Sequence, residues 1–206
     1  MMPTFSSMMG NQTILPIVQA NTPQEGVEIA RAMQAANLTA VEVVLRTEQA
    51  LATITAIKQQ LPDLKVGAGT VLDQSMIDAV IKAGADFIVT PASTPALLKA
   101  LSDCSIPALP GVASASEVLM AREFGFKELK FFPAEQKGGA PFIKSISSVF
   151  AGTKFCPTGG IHAGNKADYL NLPNVFAVGG TWMANAEWIK AGEWQKITDA
   201  CIEANG

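Results

Sequence analysis

The sequence predicts a single α/β domain built as a (β/α)8 barrel. Three observations carry that reading. Eight short apolar runs are spaced from one end of the chain to the other. Amphipathic stretches with helix start signals separate them, the pattern of parallel strands joined by crossover helices. A length of 206 residues accommodates eight such units near the lower size limit of a closed barrel. An open doubly wound sheet is the alternative. Against it, no Gly-x-Gly-x-x-Gly follows the first run, where a dinucleotide-binding fold carries one. No linker-like stretch divides the chain, so one domain is expected over residues 1–206. Residues 1–12 are expected as a short helix or cap under the barrel floor.

The strands are expected at residues 14–19, 40–46, 65–70, 86–90, 106–111, 128–133, 154–159 and 174–179. Each run is rich in β-branched, aromatic or other apolar residues and closes on Gly, Pro, Thr or a polar residue, as buried parallel strands do. Helix starts are signalled by Asn21-Thr22-Pro23-Gln24-Glu25, Asp73-Gln74-Ser75 and Ser93-Thr94-Pro95, each with a capping side chain and two of them with proline in the first turn. Ser114-Ala115-Ser116-Glu117 has the Ser-x-x-Glu form of a capping box. Gly84 and Gly125 stand where helix C-termini favour glycine.

Composition narrows the function. Hydrophobic residues make up 49% and charged residues 16% of the chain, which argues for a packed globule over disorder. Fifteen Lys and Arg against eighteen Asp and Glu give a net charge of -3, so no nucleic-acid partner is expected. No apolar run reaches membrane-spanning length, and no charged segment followed by an apolar core suggests a signal peptide. A soluble, cytoplasmic protein is the expectation. Cys104, Cys156 and Cys201 are scattered, and His162 is the single histidine; neither a zinc pattern nor a disulfide framework is present in the sequence. No metal site is expected.

Alternation along the strands selects candidate site residues. On the second run Val41, Val43 and Leu45 share an apolar face suited to the helix layer, which places Glu42, Val44 and Arg46 inside the barrel. On the sixth run Lys130 shares a face with Phe132. On the third, Val66 and Ala68 share a face with Thr70 at the strand's C-terminal end. A charged lysine in such a site costs roughly several kcal/mol unless it is paired or neutral. Burial beside Phe132, with Arg46 across the barrel, favours the neutral amine, a nucleophile that forms Schiff bases with carbonyls. Glu42 on the same inner surface suits proton transfer, and the Arg46 fork suits a carboxylate. A purely structural Lys–Glu pair fits the same pattern, and both readings stand at this level.

A second constellation lies at the ends of the seventh and eighth runs. Thr158-Gly159-Gly160 and Gly179-Gly180-Thr181 close consecutive strands. Glycines let backbone N–H groups approach an anion, and this position matches the recurrent phosphate site of barrels. Thr181 is expected to cap a short helix beginning near Met183. Trp182, Trp188 and Trp194 read as packing or subunit contacts, Cys156 as a small buried hydrophobe, and His162 as solvent-exposed.

Four motifs, Val41-Glu42-Val43-Val44-Leu45-Arg46-Thr47, Val66-Gly67-Ala68-Gly69-Thr70-Val71, Lys130-Phe131-Phe132-Pro133-Ala134-Glu135 and Phe155-Cys156-Pro157-Thr158-Gly159-Gly160, resemble those of the bacterial 2-keto-3-deoxy-6-phosphogluconate (KDPG) aldolases. That family includes enzymes that also cleave 4-hydroxy-2-oxoglutarate (KHG). The resemblance runs from about residue 14 to the C-terminus. It implies a (β/α)8 TIM barrel, a homotrimer and a class I aldolase working without metal or any other cofactor. By that resemblance Lys130 is the Schiff-base lysine and Glu42 the general acid/base. Arg46 and Thr70 hold the pyruvate carboxylate, and Pro91, Phe132 and Thr158 line the site. Gly159, Gly160, Gly180 and Thr181 bind the substrate phosphate. The chain departs from the family where Val44 replaces a frequent Thr, where His162-Ala163 stands near a frequent Ser-Pro, where Thr181 replaces a common Ser, and where Gln19 ends a strand on which some relatives place Arg. These departures bear on the substrate's far end. The 2-keto-3-deoxy-6-phosphogalactonate aldolases differ in the C4 configuration of their substrate and are the nearest alternative. A phosphosugar isomerase or epimerase and a non-catalytic phosphometabolite-binding barrel are the further ones.

Overall fold

The computed structural model describes residues 4–206. Among them all paired strands run parallel. β1 (Ile14–Val18), β2 (Ala40–Val44), β3 (Lys65–Gly69), β4 (Phe87–Val89) and β5 (Ala108–Leu109) lie side by side in chain order. β6 (Gly111–Val112), β7 (Glu128–Phe131) and β8 (Lys154–Pro157) form a second group, and β9 (Val178–Gly180) pairs with β1. Two seams close the barrel. β5 and β6 are one barrel strand interrupted at Pro110, whose missing N–H cannot join the ladder. The Pro110 carbonyl still accepts from the Lys130 N–H at 2.9 Å. At the other seam, Phe155 bridges Val175 and Thr158 bridges Gly179, tying β8 to β9. The expected barrel is present, with its fifth strand in two pieces.

The helix starts obey local chemistry. Thr22, Asp73, Thr94 and Ser114 cap α2 (Pro23–Ala35), α4 (Gln74–Lys82), α5 (Pro95–Asp103) and α6 (Ala115–Glu123) with side-chain oxygens that accept backbone N–H groups. The Ser114 box is offset by one residue. Ser114 Oγ accepts from the Glu117 N–H at 3.3 Å, whereas the Glu117 carboxylate reaches back to the Ala113 N–H. Gly84 and Gly125 follow their helices at φ 91° and 90°, the left-handed stop that glycine permits. The remaining barrel helices are α3 (Ala50–Gln60), α7 (Gly139–Ile146), α8 (Lys166–Leu170), α9 (Ala186–Ala191) and α10 (Trp194–Asn205).

The core has two parts. The larger lies between strands and helices, where Val41, Val43, Val66 and Ala68 meet residues such as Ile54 and Ile57 of α3. The smaller fills the lower barrel. There α1 (Phe5–Met9) sends Phe5 and Met9 onto Leu15, Phe87, Val89, Leu109, Cys156 and Ala177. Phe5 meets Phe87 edge to face at 4.9 Å. This is the cap expected over residues 1–12; residues 1–3 of that span lie outside the described residues.

The inward positions of β3 are Gly67 and Gly69, and the face that Val66 and Ala68 share turns to the helices. A Cβ on Gly67 would stand 1.8 Å from the Phe87 ring, and one on Gly69 would stand 2.0 Å from Glu42 Oε1. The barrel interior is crowded here by its neighbours' side chains, so this strand contributes only backbone. Among the described residues no helix is long and apolar enough to cross a membrane.

Candidate active site

Lys130 on β7 and Glu42 on β2 meet inside the barrel. Lys130 Nζ lies 3.2 Å from Glu42 Oε1, with the residues 5% and 1% exposed. The missing side chain of Gly69 makes room for the carboxylate. Phe132 lies at 5.5 Å from Nζ to ring centroid, within cation–π range. Cys156 is the register partner of Lys130 across β7 and β8. Burial pushes its thiol up to about 12, against the opposing pull of the Lys130 charge, so it remains a neutral wall of the site. Glu42 Oε2 is buried and has no hydrogen-bond partner among the described residues. An orphaned carboxylate oxygen is costly. Beside an amine in a barrel, it gives an acceptor ready for a substrate hydroxyl or a water.

Above this pair the strand ends form the mouth. Leu45 N–H donates to the Gly69 carbonyl at 2.8 Å, and Val71 N–H donates to the Val89 carbonyl at 3.4 Å. The ends of β2, β3 and β4 are thereby adjacent, and they carry Arg46, Thr70 and Pro91. Thr70 leaves its strand in the left-handed region at φ 64°, rare for a side-chain-bearing residue. Arg46 corrects an expectation. β2 ends at Val44 and the chain bends, the Arg46 N–H donating to the Val44 carbonyl at 2.9 Å. Arg46 is therefore exposed at the mouth and not enclosed within the barrel. It lines a cavity of about 1010 Å³ with Ile17, Gln19, Thr181, Trp182 and Lys190. Ile17 is the register partner of Glu42, so one wall of this cavity adjoins the strand that carries Glu42, while neither Glu42 nor Lys130 lines it.

The two glycine turns emerge side by side, because Thr158 and Gly179 are bridged. Thr158 is buried, and its Oγ1 occupies the space a Cβ on Gly179 would need. Gly159 and Gly160 follow at φ 98° and 78°. Asn165 clamps the turn: its Nδ2 donates to the Gly160 carbonyl at 3.0 Å and its Oδ1 accepts from the His162 N–H at 2.8 Å. Gly180 has a packing reason of its own, since a Cβ there would stand 1.9 Å from the Trp182 ring. The expected helix cap at Thr181 is not found. Thr181 opens a turn closed by the Ala184 N–H, and Asn185 caps α9, accepting from the Glu187 N–H at 2.8 Å. Asn185 is the stronger capping residue and sits directly before the helical run.

His162 is exposed, and its Nδ1 accepts from the Gly164 N–H at 3.1 Å. Trp182, Trp188 and Trp194 pack partly buried against the main core. Among the described residues no three His, Cys, Asp or Glu side chains converge as a metal site. Ile17 and Asn165 are site residues that the sequence reading did not single out. Ile17 is hidden by being an ordinary core residue type. Asn165 had a signal, an Asn closing a turn rich in glycine.

The KDPG and KHG aldolase family model matches residues 5–200. The 2-dehydro-3-deoxy-phosphogluconate aldolase of Pseudomonas aeruginosa is 44% identical over 93% of this chain and 87% of its own length. The KHG/KDPG aldolase of Escherichia coli is 39% identical over 96% of this chain and 93% of its own. A crystal structure of the KDPG aldolase of Legionella pneumophila, with pyruvate captured as a covalent carbinolamine intermediate, superimposes with a TM-score of 0.94. It is 38% identical and covers 98% of both chains.

Proposed function

The chain belongs to the KDPG and KHG aldolase family, and from that premise we propose how its own residues carry the reaction. It is a class I aldolase, a carbon–carbon lyase that cleaves KDPG to pyruvate and glyceraldehyde 3-phosphate, with KHG cleavage to pyruvate and glyoxylate consistent with the family. The observation that carries the residue assignment is the buried Lys130–Glu42 pair with its orphaned carboxylate oxygen under the mouth.

Lys130 gives its proton to Glu42 and attacks the C2 ketone, forming a carbinolamine. Glu42 returns a proton to the departing hydroxyl, and water leaves to give the iminium. Glu42 then takes the proton of the C4 hydroxyl. The C3–C4 bond breaks, its electron pair moves into the iminium as an enamine, and the aldehyde departs. The enamine is protonated at C3, water adds at C2, and pyruvate is released with Lys130 restored. Arg46 and Thr70, on adjacent strand ends, hold the substrate carboxylate. Pro91, Phe132 and Thr158 line the chamber. Gly159, Gly160, Gly180 and Thr181 take the phosphate at the two bridged turns. A homotrimer in the cytoplasm belongs to the same proposal. The free state of Cys104, Cys156 and Cys201 and the exposed Leu72 and Leu119 support it, and light scattering should return the mass of three chains.

The test is stoichiometric. Purified protein given KDPG should release pyruvate and glyceraldehyde 3-phosphate in equal amounts. Deuterium exchange into a sugar phosphate without cleavage would contradict the lyase and indicate an isomerase.

A further inference from the structure

The Gly159–Gly160 turn has a second support besides Asn165. Glu135 follows β7 in the short 3-10 turn Glu135–Lys137. Its N–H donates to the Gly159 carbonyl at 3.1 Å, while the preceding Ala134 N–H donates to the Thr158 carbonyl at 2.8 Å. The Glu135 stem occupies the space beside Gly160, where a Cβ would stand 2.5 Å from Glu135 Cγ and 2.7 Å from its Cβ. The carboxylate does not float. Tyr169 of α8, 1% exposed, donates its hydroxyl to Glu135 Oε1. Gly139 at the start of α7 is bare next to that hydroxyl, since a Cβ there would stand 3.1 Å from it. Burial first, and then the Glu135 carboxylate, push the Tyr169 phenol above its ordinary range, so it remains a donor.

Two consecutive glycines at positive φ give up more conformational freedom than other residues when a turn is fixed. Left unbraced, they would lose much conformational entropy on closing around an anion. Bracing them in advance lowers that cost. We propose that Tyr169 and Glu135 form a strut that presets the Gly159–Gly160 turn for the substrate phosphate, as positioning residues that do not touch the substrate. The proposal rests on the phosphate site assigned above.

The experiment compares KDPG with its unphosphorylated counterpart, 2-keto-3-deoxygluconate, in wild type, Tyr169→Phe, Glu135→Ala and Glu135→Gln. In wild type the ratio of the two kcat/KM values measures what the phosphate contributes. Tyr169→Phe keeps the buried ring and loses the hydroxyl. It should raise KM for KDPG about tenfold, the size of one lost hydrogen bond to a charged group. Its kcat, and its turnover of the unphosphorylated substrate, should stay the same. Glu135→Ala should do as much, and Glu135→Gln, which keeps the stem and an acceptor oxygen, should return close to wild type. Equal losses on both substrates would overturn the strut in favour of simple structural support. Unchanged kinetics in Tyr169→Phe, with wild type still preferring KDPG, would overturn the strut alone. A wild type with no phosphate preference would overturn the phosphate site and the strut with it.

Discussion

The barrel floor and the barrel mouth are built by the same strands, two residues apart, and have opposite chemistry. On β1, Leu15 lies in the floor cluster while Ile17, and Gln19 just past the strand's end, line the mouth cavity. On β2, Ala40 lies in the floor and Glu42 above it; Cys156 of β8 belongs to the floor cluster at its upper edge, level with Lys130, and Thr158 follows the strand above it. The floor is sealed by α1 and apolar. Above it lies a buried ion pair whose carboxylate has one oxygen without a partner among the described residues, and over that pair the mouth carries two glycine turns and an exposed arginine. The lower layer can be packed for stability because the upper layer is not. A buried pair such as Lys130–Glu42 gives little net stability over a well-packed apolar pair, so stability alone does not account for it.

The comparison predicts a sharp division of mutational effects. Lys130→Met should lower KDPG cleavage by at least about a thousandfold, and should cost about 3 kcal/mol because it leaves Glu42 buried alone. Adding Glu42→Gln should recover most of that stability and none of the activity, in denaturant melts run beside the cleavage assay. An active Lys130→Met protein would break the division outright. Phe87→Ala in the floor should do the converse. It should cost about 3–5 kcal/mol, lowering Tm by roughly 10 °C, with kcat per folded molecule unchanged when assayed well below the melt. A kcat that falls in step with stability would show floor and mouth to be coupled. The smallest effect is on thiol reactivity. Burial raises Cys156 and Cys201 to about 12 and Cys104 in the same direction. At pH 8 the native protein should therefore react slowly with iodoacetamide at all three, and quickly only in denaturant. Fast native labelling of Cys156 would mean that the floor opens.

Much of this division can be read from the chain. Alternation at 41–45 is enough to place Glu42 inward, because its neighbours Val41 and Val43 are wholly apolar. The helix caps at Thr22, Asp73, Thr94 and Ser114 are local chemistry and are legible for that reason. What lies beyond a strand's last ladder bond is less so. Arg46 follows the alternation in sequence but lies past the point where β2 bends, so periodicity alone misplaced it. The inner face of β3 is hidden because Gly67 and Gly69 carry no hydrophobic signal; they are explained only by Phe87 and by Glu42, which are distant in sequence. Thr181 was a plausible cap, but Asn185 competes for that role four residues on. The Tyr169–Glu135 contact joins residues 34 apart and leaves no periodic trace.

The central claim is that Lys130 is the imine-forming lysine beneath an anion-binding mouth. Incubation with pyruvate and sodium borohydride, followed by peptide mass spectrometry, tests it most directly. One reduced pyruvate adduct is expected, on Lys130, and none in Lys130→Met. A folded protein that forms no adduct in excess pyruvate, or forms it on another lysine, would contradict it.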